Sequence, residues 1–141
     1  MKNFRMTIPP LPRFAATARR AFSKFAGFHD VRSCDAQNLL FAVGEAIANA
    51  IAHAQTDESI ELHARADRHA VVVRISDRGR GFAVPDDRGA RLPYALAENG
   101  RGFAIMQRCT DFLDVQSDPG AGTVVTLGRR RRDRQELGTA S

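Results

Sequence analysis

Glu45, Asn49 and His53 interrupt an otherwise apolar or small-residue stretch, Asn38–Ala54 (NLLFAVGEAIANAIAHA), at steps of four. On a helix each such step drifts only about 40°, so the three groups form one narrow polar stripe. Turned against apolar protein, each unpaired polar group costs about 1–3 kcal/mol, and an ionised Glu costs more. The stripe therefore either meets solvent, as on any amphipathic helix, or forms the wall of a polar pocket. It lacks the Lys/Arg/Glu coating of a solvated face, which favours the pocket. There the Asn oxygen is a hard, neutral ligand suited to Mg²⁺, which fills its remaining positions with water and phosphate oxygens. A Glu one turn earlier can accept a proton from an attacking hydroxyl or water.

Two glycine motifs add to this. Asp77–Arg78–Gly79–Arg80–Gly81–Phe82 follows a strand-like run. Alone it reads as a turn. In a binding site the Asp carboxylate can accept a hydrogen bond from an exocyclic amine such as that of adenine. Gly79 and Gly81 would leave out Cβ atoms where backbone approaches a flat ring. Glu98–Asn99–Gly100–Arg101–Gly102–Phe103 leads into a helix, whose unpaired N–H groups suit phosphate; Arg101 can add charge-assisted bonds. The third glycine of G-x-G-x-x-G is missing and no G-K-[ST] occurs, which disfavours the dinucleotide fold and the P-loop. His29, His53, His63 and His69 show no metal spacing.

The elements that must position these groups can be read in outline. Arg5–Ile8 is a short strand, ended by Pro9, Pro10 and Pro12. Phe14, Ala18, Ala21, Phe22 and Phe25 recur at helical spacing, predicting a helix over Arg13–Phe28 that ends near Gly27. A second helix, capped by Ser33 or Asp35, runs to about Ala54. Ile60–Ala66 and Val71–Ile75 alternate as a hairpin around Asp67–His69. Residues 83–97 read as a lid or binding loop. A helix opens at Gly100 and runs through Phe103, Ile105, Met106, Cys109 and Phe112. Strands Leu113–Ser117 and Thr123–Leu127 close the pattern around Asp118–Gly122. This order predicts an α+β fold: a two-layer α/β sandwich, helices on one face of a mixed, mostly antiparallel sheet.

Composition sets the class. A chain of 141 residues, 43% hydrophobic and 26% charged, suits one globular domain with its own core. We place that domain at residues 1–128 and a basic, flexible tail at 129–141. Net charge is +5 and the isoelectric point 10.2. Much of that charge is the run Arg129–Arg132 with Arg134, read as a solvated terminus first and an acidic-partner contact second, and insufficient for a nucleic-acid partner. Leu39–Ala54 is too short and too interrupted to span a bilayer, and no signal-peptide core is present. Cys34 and Cys109, in no metal or redox spacing, suit a reducing, cytoplasmic setting.

Glu-x-x-x-Asn on a helix, Asp-x-Gly-x-Gly after a strand, Gly-x-Gly opening a helix and Gly122–Thr123 before a last strand together resemble the GHKL ATPase superfamily, built on the Bergerat α/β sandwich. AVGEAIANAIAHA and GRGFAIMQRCTDFLDV most resemble bacterial anti-sigma-factor serine/threonine kinases. The resemblance covers about Asp35 to Leu127. It implies Glu45 as catalytic base, Asn49 as Mg²⁺ ligand, and an ATP site comprising Asn49, His53, Asp77, Gly79, Gly81, Phe82, Gly100, Arg101, Gly102, Phe103 and Thr123. Asp77 would read adenine, Thr123 would support it, and Gly100–Gly102 would hold phosphates. It further implies ATP and Mg²⁺ as cofactors, a sigma factor and an antagonist protein as partners, and a homodimer; the residues themselves point to no membrane and no direct nucleic-acid partner. Other readings are a non-catalytic ATP-sensing module and the ATP-binding half of a histidine kinase. For the latter, residues 1–34 are too few to hold a dimerising phosphoacceptor hairpin as well as the first strand and helix.

Overall fold

The computed structural model describes residues 2–28, 33–54, 57–81 and 100–131. The elements are β1 (Lys2–Ile8), a single 3-10 turn (Pro12–Phe14), α1 (Ala15–Phe28), α2 (Ser33–Ala54), β2 (Ile60–Ala66) and β3 (Ala70–Asp77). They continue with α3 (Gly100–Cys109), β4 (Phe112–Asp118) and β5 (Gly122–Arg130). The strands form one sheet in the order β1-β2-β3-β5-β4.

Alternation decides which way each strand faces. Ile60, Leu62, Ala64 and Ala66 of β2 and Val71, Val73 and Ile75 of β3 are buried, while their neighbours are partly or fully exposed. Across the sheet they join Ile8, Val125 and Leu127, and the helices lay Phe22, Leu39, Val43, Ile47 and Met106 over them. Each large side chain buried in this way contributes about 1.5–3 kcal/mol. Phe25 extends the core to β1, its ring centroid 5.5 Å from that of Phe4. At Gly44, where α1 crosses α2, an added Cβ would stand 2.9 Å from Arg19 Cδ. The other face of the sheet carries no helix among the described residues, an arrangement open to antiparallel sheets.

Several boundaries and one sheet property differ from the sequence reading. The sheet is not mixed among the described strands: all four pairings are antiparallel. A β3–α3–β4 crossover would make β3 and β4 parallel neighbours, but β5 inserts between them. Strand β1 begins at Lys2 rather than Arg5, because Lys2 pairs with Ala66. Helix α3 stops at Cys109 rather than running through Phe112. There Thr110 Oγ1 donates to the Met106 carbonyl at 2.6 Å and Asp111 N–H donates to the Gly128 carbonyl at 2.8 Å, turning the chain into β4.

Strand β5 extends past Leu127 to Arg130, so Arg129 and Arg130 lie in the sheet and not in a tail. Arg129 pairs with Val71 and Arg130 with Ala70. Arg129 Nη1 donates to the Cys109 carbonyl at 3.2 Å, closing the end of α3, and Asp111 Oδ2 accepts the Arg130 N–H at 2.7 Å. Arg131 then straps the β2–β3 turn, giving its N–H to the His69 carbonyl at 2.7 Å and Nη1 to the Asp67 carbonyl at 2.8 Å.

Candidate functional site

The helical geometry of α2 explains where its polar stripe lies. Leu39, Ala42, Val43, Ala46, Ile47 and Ala50 are buried, and Gln37, Phe41, Ala48 and Ala52 are exposed. Glu45, Asn49 and His53 occupy one flank between these faces and are half-buried. The drift of about 40° per step carries the stripe from the rim of the exposed face at Glu45 toward the sheet at His53. The stripe is thus a boundary wall rather than a solvated face. Asn49 shows the consequence: its Nδ2 is shielded from solvent and has no hydrogen-bond partner among the described residues. Turning the amide over exchanges Nδ2 for Oδ1 and puts a hard carbonyl oxygen in the same place.

Where the stripe reaches the sheet it meets Asp77, at the end of β3. The His53 charge acts on the Asp77 carboxyl. That carboxylate accepts the Gly79 N–H at 2.9 Å and the backbone N–H of Thr123, its register partner on β5. Burial raises the Asp77 carboxyl above its ordinary value, and the two N–H groups and His53 pull the other way. The side chain is half-buried, oriented by backbone on two sides, with acceptor lone pairs left over.

Gly81 and Gly122 meet at a backbone junction. Gly81 has φ +64° and Gly122 φ +82°, and a Cβ on Gly81 would overlap the Asp118 carbonyl, while one on Gly122 would overlap the Asp77 carbonyl. The Arg80 carbonyl accepts the Gly120 N–H. The glycines therefore let the end of β3 interlock with the β4–β5 turn, and no flat ligand is needed to account for them. A residue missed in the sequence belongs to the same junction. Ser117 is buried, its Oγ donates to the Gly122 carbonyl at 3.2 Å, and it shares a 2.8 Å hydrogen bond with Thr123 Oγ1. A serine at an inward-facing strand position was the available signal.

Gly100–Phe103 forms the first turn of α3, which packs along α2. Phe82 and residues 83–97 lie outside the described residues, as do the side chains of Arg101 and Phe103. The cavity lined by Thr7, Asp57, Glu58, Ser59, Glu61, Ser76 and Arg78, about 380 Å³, opens on the helix-free face of the sheet and is separate from the α2 stripe. Among the described residues no helix is long and apolar enough to cross a membrane.

On a sheet covered by helices on one side among the described residues, the α2 flank that carries Glu45 and Asn49 reaches the backbone-held Asp77 through His53. The profile of the histidine kinase-like ATPase domain matches residues 8–129, and the chain belongs to that family. Among its relatives, the serine-protein kinase RsbW of Bacillus velezensis is 30% identical over 133 residues, covering 86% of this chain and 82% of that protein. The anti-sigma F factor of Halalkalibacterium halodurans is 37% identical over 93 residues, 60% of this chain and 62% of that one. The sensor histidine kinase YxdK of Bacillus subtilis is 33% identical over 104 residues, and the match spans only 32% of its length. The solved RsbU and RsbW domains of a Mycobacterium tuberculosis protein share the fold, with a TM-score of 0.71 at 20% identity over 94% of this chain and 34% of that one.

Proposed function

We propose that this chain is an anti-sigma-factor-type serine/threonine protein kinase that binds Mg-ATP, sequesters a sigma factor and phosphorylates an antagonist protein. The carrying observation is Asn49: a buried polar amide atom without a partner among the described residues, one turn from Glu45 and one turn from the His53 whose charge acts on Asp77. Such an atom costs about 1–3 kcal/mol unless something completes it. Relatives named as serine-protein kinases and anti-sigma factors support the kinase and partner classes.

The chemistry follows from the residues. Asp77 accepts the adenine amine. Asn49 holds Mg²⁺, which when bound supplies a divalent charge beside the phosphates. The first turn of α3, Gly100–Gly102, offers N–H groups to phosphate oxygens. Glu45 takes the proton from the acceptor Ser or Thr hydroxyl as its oxygen bonds to the γ-phosphorus. The bond to the β–γ bridging oxygen breaks, and ADP leaves with that electron pair. Positioning and electrostatics dominate in such a transfer.

Melting curves with and without nucleotide test this. Mg-ATP at a hundredfold over Kd adds about 2.7 kcal/mol and raises the melting temperature. Asn49→Ala abolishes the magnesium dependence of that rise. Glu45→Ala keeps it and loses transfer of labelled phosphate to the antagonist. No rise at millimolar Mg-ATP overturns the site. A normal rise with no transfer by the wild type leaves a non-catalytic ATP-sensing module.

A further inference from the structure

The helix-free face of the sheet holds a second feature, independent of the kinase reading. Strand register sets Arg5 beside His63 and His63 beside Arg74, in one row across β1, β2 and β3. Arg65 follows two residues along β2, on the same face. Rows of this kind space side chains about 4.8 Å across strands and about 6.8 Å along them. Arg5, Arg65 and Arg74 are exposed, and none is paired with a carboxylate among the described residues. Between them, His63 Nε2 is shielded and has no partner among the described residues. Burial first, then Arg5, Arg74 and Arg65, push the imidazole below its ordinary value, with only Glu61 opposing. Arg5 and Arg74 each lie diagonal to Arg65, where long side chains reach one another, so their like charges work against the isolated fold.

We propose that this face, uncovered by helices among the described residues, docks an acidic protein segment whose carboxylates bridge Arg5, Arg65 and Arg74. Guanidinium groups on a rigid sheet match carboxylates through paired, charge-assisted bonds. The chemistry of the surroundings favours protein over nucleic acid. Glu61 stands in the next row, and with Asp57 and Glu58 it lines the adjoining cavity of about 380 Å³. A phosphate backbone crossing the face would run onto those carboxylates, whereas a protein segment can set a Lys or Arg there. Val72, not an aromatic ring, lies beside Arg65 across the strands, so stacking for bases is missing at that point.

The probe is a fluorescein-labelled decaglutamate peptide titrated against the whole chain at low ionic strength, where surface electrostatics are least screened. Reversing two charges, Arg5→Glu with Arg74→Glu, should weaken binding at least about tenfold, while Arg20→Glu with Lys24→Glu on α1 changes it less than about twofold. The melting-temperature rise with Mg-ATP stays as in the wild type, which separates this face from the nucleotide site. Removing like-charge repulsion keeps the sheet variant folded, and Arg5→Gln with Arg74→Gln gives the same ordering without new charge. Equal loss in the α1 variant overturns the proposal. So does duplex DNA of equal charge binding as tightly and with the same sensitivity. Sedimentation of the wild type as a dimer that the Arg5/Arg74 variant dissociates assigns the face to a second copy and overturns it too.

Discussion

At the scale of single residues, Asn49 and Asp77 are held in opposite ways. Asn49 presents a buried amide nitrogen with no partner among the described residues, whereas Asp77 is oriented by Gly79 and Thr123 and still kept above its ordinary carboxyl range by burial. A carboxyl raised in the fold contributes its full stability below the unfolded value, 3.8, and that contribution is lost as pH rises through the folded value. At neutral pH the ionised Asp77 therefore works against folding. Asp77→Asn, which keeps a carbonyl oxygen for the Gly79 N–H and removes the buried charge, should melt no lower than wild type at pH 7. It should bind Mg-ATP roughly 10–100-fold more weakly, through loss of a charged acceptor worth about 1.5–3 kcal/mol. Calorimetry with nucleotide titration checks both, and a lower melting temperature with unchanged affinity would contradict the assignment. Wild-type affinity should also fall on acidification at a higher pH than an ordinary carboxylate dictates.

Between elements, the informative contact is the interlock of the β3 end with the β4–β5 turn. Gly120 and Gly122 have nearly the same φ, +81° and +82°, but a Cβ on Gly120 meets nothing within 4 Å while one on Gly122 meets Asp77 backbone. Gly120→Ala should cost about 1–2 kcal/mol from backbone conformation alone. Gly122→Ala should cost more than about 3 kcal/mol, since backbone must shift as well. Urea denaturation of the pair isolates the packing part; equal losses would show that the interlock carries no weight. Elements were legible in the sequence where periodicity was strong, as in α2 and the β2–β3 hairpin. The end of α3 was not, because Phe112 continues the helical spacing while the stop comes from Thr110 and from strand β5, far along the chain.

For the molecule as a whole, the boundary between domain and tail follows from contacts rather than composition. A chain ending at Arg131 keeps every described contact of Arg129, Arg130 and Arg131, and should melt within about 2 °C of the full chain. Ending it at Gly128 removes hydrogen bonds to Cys109, Asp111, His69 and Asp67. At about 1 kcal/mol each, that should lower the midpoint by roughly 8 °C or more, and equal midpoints would return Arg129–Arg131 to the tail. What the sequence determined by itself was local: the polar stripe of α2, the glycine-flanked Asp77, and which strand faces are apolar. These follow from spacing along one element, where period and residue type suffice. Tertiary structure alone decided that β5 separates β3 from β4, that Gly81 and Gly122 serve a backbone junction, and that Arg5, His63 and Arg74 share one row. Each depends on partners distant in sequence, and strand register, which no local pattern encodes, brings them together.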